Sequence, residues 1–433
     1  MVLVDRGDRG VVLDSFVLLL KLGRMIRNGL ALCLTLLTAT AFSADWPQLL
    51  GPNRNGVCSS TNLNLDWSAA PPKKLWSKRV GTGWSSPVVS NGKLILFHRD
   101  EDQEIVECLN AETGEEIWGA RQPADYVDAY GFEAGPRATP TIHNAKVYTL
   151  GANGDIRCHD LKTGKKLWAV SAKKSFGAEQ GYFGFGSSPV VFQGRVLVNV
   201  GGTDNSSIVA LDATNGKVMW KSFDDEASYS SPVIGTFDGT PQAIFFTRRN
   251  VVGIAPATGN VHWKVRLAPS IQTSVAASMP LISGNTVFAT ASYGAGATAL
   301  RIDGTKATVQ WANDSSLSSQ YATGIIWGGH VYGFHGRVDT GPRPELRCIE
   351  LKTGEVRWSN ARIDSGAMLR VGKKLLVLTQ SGQLIVANAS ITGPGRIQQV
   401  QVLGDKVRCH PAIADGRLFA RDMRQLICLD LRK

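Results

Sequence analysis

Along this chain, short runs of Val, Ile, Leu and Phe alternate with clusters of Gly, Asn, Asp and Ser. The stretch 189–223 shows the grain: "PVVFQG", "RVLVNV", "SSIVALD" and "KVMWKSF" are four β-rich runs separated by turn residues. The pattern recurs. A strand opened by Ser-Pro or a close variant appears as "SSPVV" (85–89), "ATPTI" (138–142), "SSPVV" (187–191), "SSPVI" (230–234) and "SMPLI" (278–282). Fainter copies are "ATGII" (322–326), "SGAML" (365–369) and "CHPAI" (409–413). Pro is tolerated at the first residue of a strand, where no ladder hydrogen bond is lost. With Pro87, Pro140, Pro189, Pro232, Pro280, Gly324, Ala367 and Pro411 as equivalents, the spacings are 53, 49, 43, 48, 44, 43 and 44. Eight units of about 45 residues match the period of four-stranded propeller blades. The pattern therefore predicts an all-β, eight-bladed β-propeller of four-stranded antiparallel blades.

Each unit also carries a nine-residue phrase: "NAETGEEIW" (110–118), "DLKTGKKLW" (160–168), "DATNGKVMW" (212–220), "APATGNVHW" (255–263) and "ELKTGEVRW" (350–358). The Gly sits where a hairpin turn needs a positive φ, and the Thr, Asn or Asp before it can hydrogen-bond turn amides. The Trp, four residues on, lies on the last strand and is expected to cover the adjoining blade, burying about 150–250 Å². Trp76, Trp118, Trp168, Trp220, Trp263, Trp311 and Trp358 are thus expected to be structural. As a ligand site, so repeated a phrase would be redundant.

The two ends of the repeat region complement each other. "QLICLDLRK" (425–433) is a third strand that stops where its turn should begin, while "KKLWSKRV" (73–80) is a fourth strand without its first three. Pairing them completes the eighth blade and removes open sheet edges. Residues 45–72 read as an irregular arm packed across one rim, and 73–433 as the propeller.

Composition adds an address and a class. The chain has 433 residues, 43% apolar, with a net charge of +11. Residues 1–44 hold five basic and three acidic groups, so the remainder carries +9. There is no concentrated Lys/Arg stripe, and nucleic acid is not expected as a partner. "MIRNGLALCLTLLTATAFSADW" (25–46) has a basic start, an apolar run and the small-residue triplet Ala39-Thr40-Ala41. It reads as a cleavable signal peptide within 1–44, with Met25 a candidate start. The mature protein is then expected to be exported to the periplasm or cell envelope, without a transmembrane helix, and monomeric. Of its six cysteines, Cys108, Cys158, Cys348 and Cys428 fall at one equivalent repeat position. They read as small buried residues on separate blades, beyond the roughly 7 Å Cα limit for a disulfide. Cys58 and Cys409 stay open as a pair.

The recurring "[AC]-x-D-x-x-[TN]-G-x-x-x-W" resembles the tryptophan-docking repeat of pyrroloquinoline-quinone (PQQ) dehydrogenases and their relatives across 73–433. The match blurs in "DGTKATVQW" (303–311) and is lost in "ITGPGRIQQV" (391–400). That PQQ-like superfamily includes outer-membrane assembly factors of the BamB type, which are non-enzymatic eight-bladed scaffolds, as well as quinoprotein alcohol dehydrogenases. The arm "DWPQLLGPNRNG" (45–56) looks like the start of exported PQQ-like proteins, some labelled polyvinyl-alcohol dehydrogenases. For a dehydrogenase the resemblance implies PQQ, a Ca²⁺ held by carboxylate and amide oxygens, an Asp base and a Trp platform. Calcium wants six to eight oxygens, yet the innermost runs contain one acid, Asp415, in a turn. The chain has neither an adjacent Cys-Cys pair nor C-x-x-C-H. H-E-x-x-H, G-x-S-x-G and P-loop patterns are absent too. His330 and His335 point to opposite faces of an extended segment. Neither catalytic nor metal-ligating residues are assigned, and no cofactor is expected; PQQ with calcium is the alternative.

Loop length is the informative irregularity. The connections after blades 1 and 2, "GARQPADYVDAYGFEAGPRATP" and "AVSAKKSFGAEQGYFGFGSSP", are the longest, and on the same face "GFHGRVDTGPRPELR" (333–347) is extended. Loops held on a rigid scaffold are where function concentrates. Tyr126, Tyr130, Phe132, Tyr182, Phe183 and Phe185, with His335, Arg337, Asp339 and Arg343, are the candidate face for a protein or polymer partner in the envelope. Equally, the aromatics could cap and plug the channel. The sequence reading is a non-catalytic binding propeller, with a PQQ-dependent alcohol dehydrogenase as the second possibility.

Overall fold

The computed structural model describes residues 45–60, 62–271 and 274–433. The export signal, the start at Met25 and Cys33 lie outside them. The described residues form one compact unit. Its strands fall into eight sheets, each a meander from an innermost to an outermost strand. Blades 1 to 7 span 88–123, 141–171, 190–222, 233–266, 281–313, 325–360 and 366–401. Blade 8 joins 412–430 to Lys74–Arg79, with Trp76 opposite Cys428. The expected eight-bladed propeller and its closure are both present. A single helical turn, Ala172–Phe176, sits in the loop after blade 2.

The docking tryptophans acquire a second rule. In five of the seven interfaces that carry one, the indole lies on the turn Gly of the next blade. A Cβ added at Gly114, Gly164, Gly216, Gly259 or Gly354 would come within 2.5–2.9 Å of the rings of Trp76, Trp118, Trp168, Trp220 and Trp311 respectively. The indole N–H donates to the carbonyl three residues before that Gly, as from Trp118 to Leu161 (3.1 Å) and from Trp168 to Ala213 (3.3 Å). The Gly is therefore needed twice, for its positive φ and for its missing side chain. Opposite each Trp on the third strand stands a small residue: Cys108, Cys158, Ala210, Gly253, Ala299, Cys348 or Cys428. All six described cysteines are free and buried, Cys58 and Cys409 included.

Where the next blade departs from the phrase, the dock changes: Trp358 still donates to Ser390 O of blade 7 at 2.8 Å, whereas the Trp263 dock is lost. Blade 5 closes its last hairpin with a short turn between Asp303 and Lys306. Trp263 accordingly folds back over Gly253 of its own blade and donates to Gln242 Oε1 at 2.8 Å. Between blades the core is apolar, as where Val88, Ile95, Phe97 and Val106 meet Ile142, Val147 and Leu161.

The arm departs from expectation. Instead of only crossing a rim, residues 45–58 enter the central channel. Trp46 pairs with Val89 of blade 1, and Pro47 accepts from the Ile142 amide of blade 2. Arg54 reaches the Ser188 and Pro189 carbonyls of blade 3, and Val57–Cys58 adds a parallel strand to the inner edge of blade 7. Each innermost strand offers an unpaired edge toward the axis, and the arm satisfies several of them. Beyond the channel, Leu63 bridges to Arg432 and the Trp67 amide donates to Gln398.

Candidate functional site: a blind chamber in the channel

The arm closes the channel from the face of the hairpin turns, leaving a chamber of about 190 Å³ open toward the long-loop face, with Leu49 contributing to its floor. The lining follows one rule. In seven of the eight blades, the residues one and three before the blade-opening position face the chamber, because alternate positions of an extended strand share a side. The first set includes Ser86, Thr139, Ser188, Ser231, Thr323 and His410, and the second includes Trp84, Arg137, Tyr229, Tyr321 and Arg408.

The hydroxyls of the first set form a ring stitched from blade to blade. The His410 amide donates to Ser86 Oγ (2.9 Å), Ser86 to Thr139 Oγ1 (3.0 Å), Thr139 to Ser188 Oγ (2.8 Å), Ser188 to Ser231 Oγ (2.8 Å), and Met279 to Thr323 Oγ1 (3.0 Å). Among the described residues none of these five hydroxyls donates its own proton to the protein, so each keeps a donor free for the chamber.

Charge enters through two arginines that both lie against one indole. The guanidinium carbons of Arg137 and Arg408 lie 4.9 and 4.5 Å from the Trp84 ring centre. Arg137 is held by Asp128 at 2.9 Å, while its Nε and Nη1 lack partners. No hydrogen bond or ion pair engages Arg408 among the described residues. Burial pulls its pKa below the ordinary arginine value, and the charge of Arg137 adds to that. Below the ring, buried Arg54 donates to Ser188 O, and desolvation lowers its pKa to about 9. Trp84 Nε1 and His410 Nε2 are also buried without partners. Burial lowers the His410 pKa to about 4, so its imidazole is neutral near pH 7.

The loop aromatics divide. Tyr126 (1% exposed) and Phe185 (3%) are buried, Tyr126 beneath Gly184 and Phe185 against Gly154, so these two belong to the fold and not to an outer contact face. The long loop is pinned from within, since Asp128 accepts from the Tyr130 and Glu133 amides and Arg99 donates to the Tyr126 and Ala134 carbonyls. Tyr130 (49% exposed) and Phe132 (55%) remain on the surface and touch Phe183, which packs on Tyr229. Tyr182 meets Tyr130 edge-on. The aromatics therefore divide by burial: Tyr126 and Phe185 are packed into the fold, while Tyr130 and Phe132 stay exposed. Asp339 reaches the chamber wall while paired with Arg337 (2.9 and 2.8 Å), whose guanidinium lies 4.1 Å from the Tyr293 ring centre. His335 and Arg343 face a separate shallow groove. Trp84, Arg137, Arg408 and the hydroxyl ring were not singled out from the sequence, although each occupies a fixed offset from a blade-opening residue.

The chamber's donors do not suit a calcium-bound quinone. Asp339 is the one carboxylate among its described lining residues, and Arg337 already engages it at both oxygens. Two guanidiniums sit where a dication would need oxygen anions.

Residues 57–181 and 101–360 match the family model described as outer membrane protein assembly factor BamB. A stretch of 179 residues is 28% identical to the dehydrogenase subunit of the quinone alcohol dehydrogenase of Komagataeibacter europaeus; it covers 40% of this chain and 22% of the length of that relative. The crystal structure of BamB from Moraxella catarrhalis superposes with a TM-score of 0.60 at 15% identity, over 83% of this chain and 98% of that one. The quinohemoprotein alcohol dehydrogenase of Comamonas testosteroni does so with a TM-score of 0.65 at 14% identity, over 90% and 81%. At such identities the two structures share the fold alone. Among the described residues no helix is long and apolar enough to cross a membrane.

Proposed function

This chain belongs to the outer membrane protein assembly factor BamB family, and on that basis we propose that it is an exported binding propeller of the cell envelope, without a resident cofactor or chemistry of its own. It engages a protein partner through the long-loop face. One observation carries this reading: the face surrounds the mouth of a blind chamber rich in uncommitted hydrogen-bond donors and flanked by exposed Tyr130 and Phe132. Such a surface suits recognition, because aromatic anchors beside unsatisfied donors are what a partner's groups can complete. The dehydrogenase reading draws on the quinone alcohol dehydrogenase relatives and is disfavoured by the chamber's charge.

The test uses a photo-crosslinking residue at Phe132, on the loop face, or at Asp238, in an inner hairpin turn on the opposite face. Phe132 is expected to give a discrete adduct with an envelope protein, and Asp238 none. Alcohol oxidation by purified protein supplied with PQQ, Ca²⁺ and a redox dye would overturn the proposal, as would equal adducts from both faces.

A further inference from the structure

Resting on the binding-propeller reading, we infer that the chamber receives the free C-terminal carboxylate of a peptide whose last residue is aromatic or bulky and apolar, preceded by basic residues. Four observations lead there. First, the chamber's positive charge is only partly compensated: Arg408 has no ion-pair partner among the described residues, and Arg137, although paired with Asp128, keeps its buried Nε and Nη1 without hydrogen-bond partners. Burying cations is costly unless an anion joins them, and a carboxylate against guanidiniums makes the strongest hydrogen bonds available. The free hydroxyl protons of Ser86, Thr139, Ser188, Ser231 and Thr323, with the orphan N–H of Trp84, are further donors for such a group.

Second, apolar groups share the walls, with Phe132, Phe183, Val275 and Tyr321 toward the loops and Met279 at the level of the hydroxyls. A chamber of about 190 Å³ accommodates one ring-sized group, since cavities of about 150 Å³ hold benzene. Third, the arm makes the chamber blind, so a chain can enter only by an end; an internal segment has no way out.

Fourth, a larger groove of opposite charge adjoins the chamber, sharing Gly186 and Tyr229 with it. Glu179, Asp204 and Asp224 line it without ion-pair partners among the described residues, and both amide atoms of buried Asn199 face it unsatisfied. A cationic well beside an acidic groove repels a free polyanion and favours a chain end that is negative at its tip and positive just behind it.

The experiment measures fluorescence anisotropy of fluorescein-labelled Gly-Lys-Lys-Gly-Ser-Phe with the purified protein. The free-carboxylate peptide is expected to bind saturably, its C-terminal amide at least tenfold more weakly, and the version with Glu in place of both Lys several-fold more weakly. Arg408→Gln is expected to lose at least tenfold in affinity while remaining folded, because it removes stacking on Trp84 and Tyr321 but no hydrogen bond of the fold. Equal binding of the amide, unchanged affinity in the folded variant, or no saturable binding would overturn the inference. If unlabelled N-acetylphenylalanine competes as well as the unlabelled peptide, the site serves small organic acids and the peptide assignment falls. A Phe132 adduct without peptide binding defeats this inference alone, whereas quinone-dependent alcohol oxidation defeats the proposed function whatever the peptide does.

Discussion

The two faces of the propeller use the repeat in opposite ways. On the turn face the same arrangement recurs: a Gly with φ between +72° and +81° receives the Trp of the preceding blade. On the loop face the slot three residues before each blade opens holds Trp84, Arg137, Gly186, Tyr229, Ala277, Tyr321, Asp364 and Arg408, one of nearly every chemical kind. Every blade must dock on its neighbour, and one solution serves five of the eight interfaces. The chamber is a single place built from seven of the eight blades, and they bring differing groups to it. Within a repeat protein, the repeated positions report the scaffold and the unrepeated ones report the site.

Breaking the dock should have the largest effect. Trp168→Ala removes a ring that is 8% exposed, and unfolding by denaturant is expected to show a loss of roughly 3–5 kcal/mol. An unchanged midpoint would mean that the blade interface does not depend on the indole.

Acid probes the inner ring against the outer strands. Burial lowers the pKa of His410, in the ring, and of His159, on the third strand of blade 2, to about 4. The unfolded chain then binds more protons between pH 6.5 and 4, so stability is complete above pH 6.5 and falls as the pH drops through that window. Each imidazole should remove about 3 kcal/mol by pH 4. His410→Ser, which restores the hydroxyl found in other blades, is expected to flatten part of that fall. A profile identical to the parent's would count against a buried neutral imidazole in the ring.

A matched pair of glycines isolates the contact from the backbone. Gly216 and Gly194 have φ of +74° and +75°, but a Cβ at Gly216 would lie 2.8 Å from the Trp168 ring, whereas at Gly194 nothing stands within 4 Å. Gly194→Ala should cost about 1 kcal/mol for the strained φ, and Gly216→Ala about 1–3 kcal/mol more for the displaced indole. Equal melting shifts would reduce the role of the turn Gly to its φ.

Reductant should do nothing. With the six described cysteines free, dithiothreitol is expected to leave the melting curve in place, and denatured non-reduced protein to titrate at least four thiols. Three disulfides found by mass spectrometry would contradict the small-residue role opposite each Trp.

Much of this architecture is legible in one dimension, because blade formation depends on local pattern. Strand runs, the turn Gly and the complementary ends at 73–80 and 425–433 suffice to deduce eight closed blades. The site was only half legible. Tyr130, Phe132, Tyr182 and Phe183 emerged because loop length and aromatic content are visible in a string. Tyr126 sits in the same loop with the same chemistry and is buried; its neighbours Gly184 and Arg137 decide that, and neither distance can be read from sequence order. Trp84, Arg137 and Arg408 were hidden in "GWSSP", "PRATP" and "RCHP", where attention falls on what repeats.

The sequence by itself determined the blade count, the closure and the docking face, since each follows from contacts within one unit or between consecutive units. Only the tertiary structure decided the channel. Residues 45–58 could have lain on a rim, and nothing in "DWPQLLGPNRNG" specifies which strand edges it will meet. Once it pairs with blades 1, 2, 3 and 7, the channel becomes a blind chamber. Residues as far apart as Trp84 and Arg408 then share one small volume, because ring closure brings the first and last blades side by side.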